Sequence, residues 1–199
     1  MAVVNYGVGN LRSIRKGLEK SGAQVQVTHN PTDLRNADAI VLPGVGAFAP
    51  AVKNMETITD VVAEATKNGK PILGICLGLQ LLFTRSSEGG SIKGLNFISG
   101  KVVKLPDSVK TPQMGWNTID FSRFHPILDG VKDHSYVYFV HSYYPQPTVS
   151  DVVVTTTEYG VRFPSMVAKK NLFATQFHPE KSSQTGLKML RNFVRIMKR

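Results

Sequence analysis

Short apolar runs and amphipathic stretches alternate along the first half of the chain. AVVNY (2–6) predicts a strand, and NLRSIRKGLEKSG (10–22) predicts a helix with Leu11, Ile14 and Leu18 on one face and Gly22 where a C-terminal cap belongs. AQVQVT (23–28) alternates with the period of a strand, and DAIVLP (38–43) is a short run of the kind buried on both faces. APAVKNMETITDVVAEATKNG (49–69) predicts one long helix closing on Gly69. PILGI (71–75) is a second buried-type strand, and CLGLQLLF (76–83) is the helix it leads into. Alternation at this spacing predicts an α/β fold, a mostly parallel central sheet flanked by helices.

Beyond residue 95 the helical pattern gives way to KVVKL (101–105), WNTIDF (116–121), YVYFV (136–140), DVVVTTT (151–157), PSMVA (164–168) and LFATQF (172–177). These strands predict a mixed or antiparallel extension of the sheet. The last segment, GLKMLRNFVRIMKR, is helical in pattern: Leu187, Leu190, Phe193, Val194 and Met197 share one face, and Lys188, Arg191, Arg195 and Lys198 the other. No repeat, low-complexity tract or linker divides the chain, so one domain over 1–199 is expected.

Composition narrows the picture. A hydrophobic content of 42% over 199 residues suits a sizeable core that needs neither disulfide nor metal. The single cysteine and the lack of a charged-then-apolar leader after Met1 predict a cytoplasmic protein. Every apolar run is interrupted well before the ~18 residues that span a bilayer, so no membrane crossing is expected. The net charge of +10, from 24 Lys and Arg against 14 Asp and Glu, raises nucleic-acid binding as an alternative. No zinc-finger spacing or RNA-binding aromatic motif accompanies it, and a solvated basic face on the last helix accounts for much of the excess. An acidic protein partner is the other meaning such a surface could have.

Three segments can carry chemistry. ILGICLGLQ (72–80) sets Cys76 between glycines where a buried-type strand opens into a helix, the context of a nucleophile elbow. There the glycines would permit unusual dihedrals, the helix N-terminus would favour a thiolate, and the Leu77 amide could face an oxyanion. Taken alone, Cys76 fits a small core residue at least as well. ATQFHPEKS (174–182) adds His178 and Glu180, which an extended backbone held by Pro179 would project to the same side, so that Glu180 could fix the imidazole tautomer. Either segment is weak by itself; together they make a Cys-His-Glu order and favour Cys76 as nucleophile. In LPGVGAF (42–48), Gly44 and Gly46 would let the Val45 segment supply a second oxyanion donor.

With these in place, GICLGLQLLF, PGVGAF, PQMGWN, YFVHSYY, TTEYG and QFHPEKSS resemble, in this order, the segments of class I (triad) glutamine amidotransferases. The chain is most similar to the glutaminase subunits of imidazole glycerol phosphate synthases, from NYGVGNLRS near its start to GLKMLRNF near its end. The glycine after Val45, the MGWN stretch and the lysine of HPEKS select this branch over the anthranilate, aminodeoxychorismate and GMP synthase subunits. Asn5 departs from the Asp that many relatives carry there.

The resemblance implies a flavodoxin-like fold and hydrolysis of L-glutamine through Cys76, His178 and Glu180, with no cofactor and no metal. It implies oxyanion donors at Val45 and Leu77, and substrate contacts around Gly44, Gly46, Gln80, Glu88, His141, Ser142 and Tyr143. It also implies a separate (β/α)8-barrel cyclase subunit that receives the ammonia, facing Asn10, Met114, Trp116, Asn117, Tyr138 and Lys181. Among these, Lys181 is the best single candidate for an ion pair across the subunits; by its residue type alone it is a solvated lysine. The alternatives are a glutaminase subunit serving another synthase and a basic nucleic-acid-binding protein with a vestigial triad.

Overall fold

The apolar runs of the first half become neighbouring parallel strands. A computed structural model describes residues 1–7 and 10–198; Val8 and Gly9 of the first loop, and Arg199 at the expected end of the last helix, lie outside the described residues. The main sheet has the order β2 (Gln26–Thr28), β1 (Ala2–Val4), β3 (Ile40–Leu42), β4 (Ile72–Ile75), β14 (Leu172–Thr175), β13 (Arg162–Lys169), β12 (Val153–Glu158) and β9 (Asp120–Phe121). The first five are parallel, and the last three join antiparallel. A second sheet runs β11 (Tyr143–Pro147), β7 (Ile98–Lys104), β5 (Phe83–Ser86) and β6 (Ile92–Lys93), and β8 (Gln113–Thr118) pairs with β10 (Tyr136–His141) in a ribbon. The mostly parallel sheet with an antiparallel extension follows the sequence pattern.

Fully apolar strands alternate between two cores. Val4, Leu42 and Ile72 face one side, under α2 (Pro31–Asn36), α3 (Phe48–Met55) and α4 (Thr59–Lys67). Val3, Val41 and Leu73 face the other, where Leu18 of α1 (Leu11–Lys20) and Phe193 of α6 (Ser183–Met197) pack. Each such side chain, fully buried, contributes roughly 1.5–3 kcal/mol. This is why a sheet covered on both faces needs no polar alternation.

Several expectations are corrected. The long helix over 49–69 breaks into α3 and α4 around a 3-10 turn, Glu56–Ile58. The β-branched run Thr57-Ile58-Thr59 crowds the preceding turn, and the Thr59 hydroxyl donates back to the Met55 carbonyl at 2.9 Å. The helix after Cys76, α5 (Leu77–Leu81), has five residues instead of running to Phe83, which begins β5. Helix α2 was not expected, although Asn30 caps it by accepting from the Thr32 amide and Pro31 opens its first turn. In α6 the buried apolar side chains are Met189, Leu190, Phe193 and Val194, with Leu187 only half-covered. Its basic face is solvated as expected, with Arg195 paired to Asp129 at 2.6 Å. No helix among the described residues is long and apolar enough to cross a membrane.

Candidate active site

Strands β3, β4 and β14 are adjacent and parallel, so their C-terminal ends open on one crevice, the position where such sheets place ligands. Cys76 follows β4 and takes φ 53°, ψ −105°. The unusual dihedrals therefore sit on the cysteine itself and not on its glycines, which corrects the expected division of labour. Gly78 is needed for close approach: a Cβ there would overlap the Leu42 carbonyl, and one on Gly44 would overlap the Leu77 side chain. A helix of only five residues has a smaller dipole than expected, so nearby side chains must supply more of any stabilisation of a thiolate. The Cys76 thiol donates to the Val140 carbonyl at 3.6 Å and receives Gln176 Nε2 at 3.5 Å.

His178 follows β14. Its amide donates to the Tyr138 carbonyl at 2.9 Å, and its own carbonyl accepts from the Ser182 hydroxyl at 2.6 Å. The chain then enters a 3-10 turn, Pro179–Lys181, so Glu180 is not in extended backbone; the turn, in place of strand alternation, brings it back to the ring. Glu180 Oε1 lies 2.8 Å from His178 Nδ1, with both side chains essentially buried. Burial opposes an imidazolium, but the Cys76 sulfur and Glu180, through hydrogen-bonding position and charge, outweigh it and hold His178 well above the usual imidazole range. His178 Nε2 has no hydrogen-bond partner, so a contribution from Cys76 requires a sulfur that has given up its proton.

A cavity of about 240 Å³ opens beside Cys76, lined by Val45, Gly46, Leu77, Gln80, Glu88 and His141–Tyr143 among others. Its size suits an amino acid. The Leu77 amide, expected as an oxyanion donor, donates to the Gly44 carbonyl at 3.4 Å and is thus turned toward the PGVG loop. Gln80 Nε2 donates to the Tyr143 carbonyl at 3.0 Å. Glu88 accepts from the Phe48 amide at 3.2 Å. Burial raises the Glu88 carboxyl, partly offset by that bond.

His141 is buried with Nδ1 2.9 Å from the Tyr143 carbonyl and Nε2 2.9 Å from the Gln113 side-chain amide. Burial pushes it from 6.5 down to about 4, against the Tyr143 bond and aided by the charge of His178. The neutral ring donates at Nδ1 and accepts at Nε2, so the Gln113 amide must present its nitrogen there. Because the folded value lies below the unfolded one, this stabilisation is present above pH 6.5 and lost as the pH falls toward 4, by about 3 kcal/mol at most. Thermal melts across that window should fall more steeply for the native chain than for His141→Gln; parallel slopes would contradict this.

The residues matched to a partner face divide. Met114 and Trp116 on β8 and Tyr138 on β10 share one face of the ribbon, with Met114 65% and Trp116 53% exposed. Lys181 Nζ sits 5.7 Å from the Tyr138 ring centre, and Trp116 meets that ring edge-on. Asn117 points to the ribbon's other face and donates to the Glu158 carbonyl. Asn10 caps α1. Two residues escaped the sequence reading: Gln176, and Tyr6, whose buried hydroxyl donates to the Pro43 carbonyl at the base of the PGVG loop. Both lie inside matched segments, but nothing in a one-dimensional pattern marks where they point.

The glutamine amidotransferase class-I family matches residues 2–197. The chain belongs to the class-I glutamine amidotransferases. It is 52% identical over 200 residues to the imidazole glycerol phosphate synthase subunit HisH of Archaeoglobus fulgidus, covering 100% of both chains. It is 47% identical over 198 residues to that of Methanothermobacter thermautotrophicus, covering 100% of this chain and 99% of that one. Among solved structures, PurLQS from Thermotoga maritima superposes with a TM-score of 0.77 at 21% identity, covering 98% of this chain and 97% of that one. At that identity the likeness concerns the fold. Within this class-I amidotransferase, the elbow and the His-Pro-Glu turn lie on neighbouring strand ends.

Proposed function

We propose that this chain is the glutaminase subunit of an imidazole glycerol phosphate synthase, hydrolysing L-glutamine and passing ammonia to a cyclase subunit in histidine biosynthesis. The observation that carries the chemistry is the buried His178–Glu180 pair, Nδ1 to Oε1 at 2.8 Å, on the strand end next to that of Cys76 and beside a cavity of amino-acid size. Cys76 gives its proton to His178 Nε2, and the sulfur attacks the side-chain amide carbon of glutamine. The oxyanion takes the Leu77 N–H and, once the Gly44–Val45 peptide has rotated, the Val45 N–H. The C–N bond breaks as His178 returns the proton to the leaving nitrogen, releasing ammonia. Water, deprotonated by His178, then opens the thioester and frees glutamate. Glu180 holds the ring through Nδ1. Gln80, Glu88 and the His141–Tyr143 segment hold the substrate.

The partner is a (β/α)8 barrel docked on the face of Met114, Trp116 and Tyr138, with Lys181 at its edge. The large exposed apolar side chains there support this reading. The subunit works in the cytoplasm, without nucleic acid. Since the Leu77 amide is turned to Gly44 at rest, docking must complete the oxyanion site. Glutaminase kinetics with and without the barrel should differ by about 10²- to 10³-fold in kcat. Full activity of the isolated subunit would overturn the loop requirement, and no activity in the complex would overturn the function.

A further inference from the structure

We propose that Gln176 is a further catalytic residue, whose side-chain amide donates an N–H···S hydrogen bond that stabilises the Cys76 thiolate. The inference deepens the glutaminase reading and rests on Cys76 as its nucleophile. Gln176 is wholly buried, and its Nε2 lies 3.5 Å from Sγ. Which end of an amide faces a neighbour is ordinarily ambiguous, but here a backbone group decides it. The Tyr143 carbonyl can only accept, so the atom of Gln80 that lies 3.0 Å from it is the nitrogen. The second N–H of that nitrogen meets the oxygen of Gln176 at 3.2 Å. Gln176 is thereby left with its nitrogen toward the sulfur.

The need for such a donor follows from the sulfur's other neighbours. At rest the thiol proton points at the Val140 carbonyl, a group that accepts from S–H and repels a thiolate. When the proton moves to His178 Nε2, the sulfur loses that bond and gains negative charge in a buried site. The His178 imidazolium then answers it on one side and the Gln176 N–H on the other, and a hydrogen bond to a charged group is about twice as strong as a neutral one. Gln176 is held for this task by its backbone as well, its amide donating to the Ser165 carbonyl at 2.8 Å. Gln80, which lines the cavity, touches the same amide, so a substrate that shifts Gln80 also shifts the donor on the sulfur.

Cys76 is the only cysteine in the sequence, which makes alkylation by iodoacetamide specific to it. The test compares the pH profile of that alkylation in the full-length native chain, in Gln176→Met, which keeps the bulk without the donor, and in Gln176→Glu, which places an acceptor beside the sulfur. The expected result is a thiol titration displaced upward, with alkylation at neutral pH slower by about ten-fold in Gln176→Met and slower still in Gln176→Glu. Unchanged melting transitions would separate this from a packing effect. Should Gln176→Met not fold, the native chain answers directly: one glutamine side-chain amide proton should titrate together with Cys76 in NMR spectra and stop doing so in Cys76→Ser. A folded variant with an unshifted profile, or no amide that follows the thiol, would overturn the inference. Glutamine hydrolysis by the native complex is assayed in parallel; its absence would remove the glutaminase reading whatever the alkylation shows.

Discussion

Cys76→Ala should reduce glutamine hydrolysis in the complex by at least about 10⁴-fold, because no other group in the cavity can form the thioester. Alanine carries the same Cβ as cysteine into the φ 53° turn, so the elbow should keep its shape. The chain should still bind its barrel, and synthesis from added ammonia should continue at the native rate. Kinetics with glutamine and with ammonium salt as alternative nitrogen donors separate these outcomes. If glutamine-dependent turnover stayed within a factor of ten of native, Cys76 would not be the nucleophile.

Glu180→Gln should lower kcat by about 10³- to 10⁴-fold with little change in KM. The substitution keeps size and shape but lets an amide nitrogen face His178 Nδ1, the atom now 2.8 Å from a carboxylate oxygen. That contact favours the tautomer with its proton on Nε2, which cannot accept from Cys76. The variant also loses one of the two groups that raise His178 against its burial. Loss of the carboxylate must therefore lower the pH at which the imidazolium disappears, so the alkaline limb of the kcat profile should move to lower pH. The stability linkage has the same sign. A histidine raised above its unfolded value contributes below that value and loses the contribution as pH rises through the folded one, and Glu180→Gln should flatten this alkaline loss. Rates within ten-fold of native, with an unmoved alkaline limb, would remove Glu180 from the triad.

The elements best legible in the sequence were those where one local rule dominates. Buried parallel strands are continuous apolar runs, and the run 71–75 matches β4 to within one residue, the strand starting at Ile72 after Pro71 and ending at the glycine elbow. The break at Glu56–Ile58 was hidden because its helical periodicity continues across it, while the backbone answers to β-branched crowding. Strand β11 was hidden for the opposite reason: Pro145 and Pro147 argue against a strand, yet the pairing with β7 runs along the edge of its sheet, where prolines need not donate.

What the sequence by itself determined is the set of chemical types: one thiol at a glycine-bounded strand end, a His-Pro-Glu turn, a PGVG loop, and their order. These depend on local backbone requirements, which a linear pattern records. Only the tertiary structure decided that β14 lies next to β4, which joins Cys76 to residues a hundred positions away. It also decided that the strain falls on Cys76, that the Leu77 amide rests on Gly44, and that Gln176 points its nitrogen at the sulfur. The direction of a buried side chain such as Gln176 is set by non-local packing and by hydrogen bonds that must all be satisfied at once, and its partners Cys76 and Gln80 lie far away in the sequence.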